Sequence, residues 1–305
     1  MEAGASRLTR LKLRAASPRL FYTLSIAALA ALFLIVVSGA TVRLTGSGLG
    51  CENWPRCGST FLPPKDYHAL IEFGNRGVGF LVGLVTLAAA IAATRVERLP
   101  RWLLAAAWAL PVTVLLQGVL GGITVLVELH PLIVMGHFLL SLLALAVAVV
   151  VVLGTHDFLH RAETHPPLAA NWLAVVLVPA TLALVVTGTL VTAAGPHSGG
   201  ERIRRYGLLP DALHLHVGAV AIFAIVFLGL VLALHVARPD AARERELAGL
   251  VFAALVVQMV IGDVQWRTHL PWGLVLVHVA LGTAVWAGVV ALATRLLLRS
   301  RPRLP

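Results

Sequence analysis

Charge is what this chain has least of: 12% of its 305 residues are Asp, Glu, Lys or Arg, against 59% hydrophobic, with a mean hydropathy of +0.90. A soluble domain carries about 25% charged residues, so that class is excluded and a polytopic membrane protein is implied. Cysteine is scarce too. Cys51 and Cys57 are the only two, too few for an iron–sulfur cluster or an all-cysteine zinc site. The formal charge of +10 raises the question of nucleic acid. The basic residues sit at the ends of apolar runs, however, where they act as topology signals rather than a phosphate-binding face. No nucleic-acid partner is expected.

Eight runs are long enough to span a bilayer: 19–43, 69–94, 101–127, 132–154, 170–194, 211–236, 246–266 and 272–298. A helix needs about 20 mainly apolar residues for this. The first run is longer than the apolar stretch of a secretory leader and reads as a helix. With the N-terminus cytoplasmic, sixteen Lys and Arg fall in inside segments, seven in outside segments, and Arg76 lies within a run. That bias puts both termini inside, in a cell membrane whose lipid surrounds the chain.

The chain also repeats itself. "LLQGVLGG" (115–122) resembles "VVQMVIGD" (256–263), and a histidine follows each glutamine by 20 residues: His137 after Gln117, His278 after Gln258. The offset is 141 residues throughout, and it carries Asn75 onto His216. "VVSGATV" (36–42) resembles "VVTGTLV" (185–191) at a different offset, because the loop that follows is shorter in the second copy. The expectation is an all-α protein whose eight transmembrane helices form two parallel-repeat four-helix bundles. These are 19–154 and 170–298, with a cytoplasmic N-terminal segment 1–18, a linker 155–169 and a tail 299–305. Asn75, His137, His216 and His278 then share one depth near the outer ends of the even-numbered helices.

A lone histidine in an apolar helix is usually a hydrogen-bonded structural residue; two at equivalent positions are harder to explain that way. Imidazole suits iron, and bundle interiors hold cofactor ligands. A structural zinc site would want four close ligands, so haem is favoured, with His216 and His278 as axial ligands. His214 competes with His216, but the 141 offset selects His216. His68, His130, His156, His160, His165, His197, His235 and His269 fall in loops or at helix ends and read as solvated.

"TGSGLGCENWPRC" (45–57), "IEFGNR" (71–76), the spaced histidines and the eight runs together resemble the haem A synthase family, over about residues 20–298. The resemblance implies an oxidoreductase that converts a methyl group of haem O to a formyl group, giving haem A for terminal oxidases. It implies haem b held by His216 and His278, a substrate haem held by His137, and Glu72 at the reacting edge. The family usually has histidine where Asn75 stands. Asparagine is a poor iron ligand, so Asn75 marks a position only, and the substrate iron is expected to be five-coordinate or water-bound through His137.

Glu72 has a second reading as an ordinary i, i+4 ion pair with Arg76. Cys51 and Cys57, in an outer loop, are expected to form a disulfide, more structural than redox-active. The family's second cysteine pair is missing from the matching loop, 194–208. Arg43, Arg204 and Arg205, with Arg202 and Arg267, are candidate partners of haem propionates. A haem O synthase is a candidate partner by pathway logic, and no motif identifies the electron acceptor. The chief rival function is a bis-histidine cytochrome b that only transfers electrons; it gives Glu72 and the unequal halves no purpose.

Overall fold

The computed structural model describes residues 16–51, 53–160, 171–197, 199, 203, 205–237 and 241–298. The described chain forms eight helices: α1 Pro18–Leu44, α2 Tyr67–Thr94, α3 Arg101–Leu126, α4 Pro131–His160, α5 Asn171–Ala194, α6 Leu209–Ala237, α7 Ala242–Arg267 and α8 Trp272–Leu298. All eight are long and apolar enough to cross a membrane, which makes this an all-helical, multi-pass membrane protein. Among the described residues there is no strand, only an isolated bridge between Cys57 and Thr60.

Local chemistry sets the ends. Ser17 caps α1, its Oγ accepting from Leu20 N at 3.1 Å with Pro18 opening the helix, and Asp66 caps α2 through Ala69 N at 3.0 Å. Buried hydroxyls return their protons to the carbonyl one turn back, as Ser25 does to Phe21 and Thr86 to Val82, both at 2.8 Å. An apolar surround demands this. One end departs from the apolar pattern: α4 runs past 154 to His160. Polar contacts sustain the extra turns. Thr155 Oγ1 donates to Val151 O at 2.7 Å, the His156 and His160 rings stack with centroids 4.3 Å apart, and Arg295 of α8 lies 3.8 Å from Asp157. The expected linker is therefore helical to 160, and 161–169 lies outside the described residues.

α1 packs on α2 and α4, and α3 on α2 and α4, so the first four helices close into a ring. In the second four, α5 packs on α6 and α8, and α7 on α8, but α6 and α7 barely touch. One apolar core, built from residues such as Phe21, Leu103, Leu110 and Leu145, takes in Trp286 of α8. Its indole N–H donates to Leu142 O at 2.9 Å, a buried bond that ties α8 to α4. A second core gathers Leu177, Phe223, Phe227, Leu234 and Leu292.

The α3–α4 and α7–α8 turns share one backbone. Glu128 and Leu129 adopt φ of 51° and 57°, and His269 and Leu270 adopt 62° and 61°. Leu129 N donates to Thr124 O at 2.8 Å and Leu270 N to Gln265 O at 2.7 Å. Left-handed backbone at two successive non-glycine residues is uncommon, so its recurrence at corresponding positions is specific.

Candidate functional site

Asn75, His137, His216 and His278 lie six to eight residues inside the first residues of α2, α4, α6 and α8, roughly 9–12 Å along each helix axis. Each faces a particular residue of the preceding odd-numbered helix. A Cβ built on Gly121 would lie 3.2 Å from His137 Cε1; on Gly188, 3.1 Å from His216 Cε1; on Gly262, 3.1 Å from His278 Cε1. Glycine is what lets each imidazole lie against helix backbone. Gly39, which corresponds to Gly188, would bring its Cβ within 4 Å of nothing, because Asn75 is shorter than a histidine.

Polar contacts follow the same correspondence. Gln117 Nε2 donates to His137 O and Gln258 Nε2 to His278 O, each at 2.9 Å. Only the NH2 end of an amide can approach a carbonyl, so both glutamines are fixed in orientation. Gln117 also donates to Ser141 Oγ at 2.7 Å. Gly282 stands at the matching place, and a Cβ there would press to 3.2 Å from Gln258 Nε2. In the other pair of seats, Ser38 Oγ donates to Asn75 Oδ1 at 2.7 Å and Thr187 Oγ1 lies 3.2 Å from His216 Nδ1. The Thr187 proton goes to Ala183 O at 2.8 Å. Its lone pair then accepts the Nδ1 proton, leaving His216 Nε2 as an open donor atom.

His214, two residues before His216, is exposed. Among the described residues no three or more His, Cys, Asp and Glu gather into a metal cage. Haem iron fits this donor set: it arrives with its own ring of nitrogens and asks the protein only for axial ligands. The Nδ1 atoms of His137 and His278 and the Oε1 atoms of Gln117 and Gln258 are buried without a hydrogen-bond partner. The two glutamine–histidine seats thus share one unmet polar demand.

Glu72 is buried, and both its oxygens are engaged. Oε1 meets Arg76 Nη2 at 2.6 Å and Oε2 accepts Cys51 N–H at 2.8 Å. Arg76 reaches further, to the carbonyls of Arg56 at 3.0 Å and of Cys51 and Asn53 at 3.3 Å. The Cys51–Cys57 disulfide is formed, and the Trp54 indole rests on α3, where a Cβ at Gly122 would fall within 3.0 Å of three ring atoms. The i, i+4 pair is thus present, and it is one part of a clasp that holds the 51–57 loop. Sequence reasoning did not anticipate the loop side of that clasp. Nor did it assign contacts to Gln117, Gln258, Ser38 and Thr187, although their correspondence was the available signal.

Of the outer arginines, Arg43 is the one drawn into the protein, donating to Thr192 O of α5 at 2.9 Å. Arg267 pairs with Asp263 at 2.7 Å and both are exposed. Arg205 is exposed; Arg202 and Arg204 lie outside the described residues.

A family model described as cytochrome oxidase assembly protein, COX15-CtaA, matches residues 22–70 and 65–197. A protein of Symbiobacterium thermophilum named Heme A synthase is 34% identical over 174 residues, 57% of this chain and 57% of its own. One of the same name from Geobacillus kaustophilus is 31% identical over 156 residues, 49% of this chain and 46% of its own. The chain thus spans about half the length of these relatives. A shorter match, 31% over 75 residues, is to a protein of Halobacterium salinarum named Protoheme IX farnesyltransferase and covers 16% of it.

Proposed function

The chain belongs to the COX15-CtaA family of cytochrome oxidase assembly proteins, and from that premise we propose that it is a haem A synthase, oxidising a methyl group of haem O to the formyl group of haem A. The observation that carries this beyond a generic cytochrome is the unequal pair of matched seats. Helices 5–8 hold an imidazole in each of their two matched seats, His216 against Gly188 and His278 against Gly262. Helices 1–4 offer one imidazole, an amide and a carboxylate on the same α2 face as that amide. A protein that only relays electrons has no use for the second arrangement.

In this reading the halves are two copies of one four-helix unit, and the end that carries the 51–57 loop faces outward, with both termini cytoplasmic in the cell membrane. His216 and His278 would hold haem b, which when bound would supply an electron path for the oxidation. His137 orients the substrate haem. Glu72 retains lone pairs beyond those given to Arg76 and Cys51, so it can also hold a water at the reacting edge and accept a proton as the methyl group is oxidised. Arg43 and Arg205 lie on the side to which propionates would point, and Arg204, outside the described residues, is proposed with them from its place in the sequence. The disulfide keeps the loop closed. A haem O synthase is the partner expected on pathway grounds, since it would supply the substrate. For Glu72 alone, engagement of both its oxygens favours a second role, as the anchor of the loop.

The test is the haem profile of cells that make haem O, with and without this protein. Haem A or its hydroxylated precursor appearing only with the protein supports the synthase. Haem O left unchanged beside a folded, haem-loaded protein supports the electron-transfer cytochrome.

A further inference from the structure

We propose that helices 1–4 contain a slot opposite His137, of the size of an imidazole ring, that takes one small neutral Lewis base from solution, whereas helices 5–8 take none. The proposal rests on His137 holding a haem. Its warrant is a comparison within the molecule. Three glycines of odd-numbered helices are covered by a histidine ring, whose Cε1 lies 3.1–3.2 Å from where a Cβ would stand. The fourth, Gly39, has the same place on α1 that Gly188 has on α5 and is covered by nothing within 4 Å.

The side chain that would fill the space is Asn75, and it is held back: Ser38 Oγ, one residue before Gly39, donates to its Oδ1 at 2.7 Å. The matching hydroxyl, Thr187, lies instead against a full imidazole at 3.2 Å. The gauge of the slot is therefore the His216 ring in the other half. Its walls are a glycine, a hydroxyl and an amide. They offer hydrogen bonds and no charge, which suits a neutral polar ligand such as imidazole or water. Imidazole ligates iron readily, and well-packed interiors discriminate by volume at the scale of a single side chain.

Imidazole itself is the probe. It is titrated into the oxidised, detergent-solubilised full-length protein carrying both haems, and read by absorption spectroscopy. One haem per chain should pass from high spin to low spin while the other stays constant. Asn75→His should place the ring from within, giving a low-spin spectrum at the outset and no response to added imidazole. Gly39→Leu should retain both haems and bind imidazole at least about tenfold more weakly. Two haems per chain with neither responding overturns the slot and leaves the function standing. One haem per chain, unchanged in His137→Ala, overturns the substrate site and the slot together.

Discussion

Alanine at Gly188 should strip haem from the protein while improving the helix that carries it. Replacing a helical glycine by alanine is worth about 0.5–1 kcal/mol through backbone entropy. At Gly188 the new Cβ would stand 3.1 Å from His216 Cε1, where carbon atoms prefer roughly 3.5–4.0 Å. The imidazole must give by a few tenths of an ångström, at a ring whose Nδ1 already lies 3.2 Å from Thr187. Displacement beyond about 0.5 Å defeats a built site, and lost support behind a ligand costs roughly 10–100-fold in metal affinity. Gly262→Ala should act on His278 in the same way. Gly39→Ala is the control, with the same helical gain and no neighbour within 4 Å. The assay is haem per chain by pyridine haemochrome, with thermal unfolding of the haem-free protein alongside. The expected result is haem loss in the Gly188 and Gly262 variants, full haem in the Gly39 variant, and no fall in apoprotein stability beyond the local clash. A Gly188→Ala protein with full haem and an unaltered spectrum would refute the idea that these glycines seat the rings.

Further outcomes can be set against the same structure. His216→Ala should abolish binding of one haem, whereas His214→Ala, at an exposed position, should retain both; equal losses would break the assignment made by the 141-residue offset. Gln258→Leu removes a 2.9 Å bond to His278 O, worth about 0.5–1.5 kcal/mol, but also removes a buried oxygen with no partner. Net stability should therefore move by less than about 1 kcal/mol while the reduction potential of the haem shifts; an unchanged potential would make the glutamine a mere filler. Glu72→Gln should keep both haems and lower haem A formation by about a hundredfold or more. Unimpaired formation would leave Glu72 its loop contacts alone.

The eight helices were legible because each is a long apolar run, and length alone separates a membrane helix from a buried one. The four seats were legible for a different reason: a duplicated pattern marks positions without any knowledge of contacts. What stayed hidden is what no local pattern encodes. Glu72 and Arg76 announce each other by spacing, but the Cys51 N–H that takes the other carboxylate oxygen comes from a loop 21 residues back. Arg43 reads as one more outer cation, and only the reach of its side chain to the end of α5 gives it Thr192 O. Gln117 and Gln258 stood out as markers of the repeat, yet a glutamine in an apolar helix does not declare which carbonyl it will meet. The end of α4 was misjudged because hydropathy falls at 155 while helix-compatible side-chain contacts continue to His160.

The clasp and the first histidine seat form one mechanical unit. Gly121 seats the His137 ring, and the next residue, Gly122, seats the Trp54 indole. On α2, Asn75 precedes Arg76, which donates to four carbonyls of the same loop and pairs with Glu72 one turn back. The loop is thus pinned to α3, whose Gly121 seats the His137 ring, and to α2, which carries Asn75, one residue from each seat. Any displacement of the loop must lift the Trp54 indole off α3 or break the bonds that Glu72 and Arg76 make to its backbone, while the Glu72–Arg76 pair, both members on α2, stays intact.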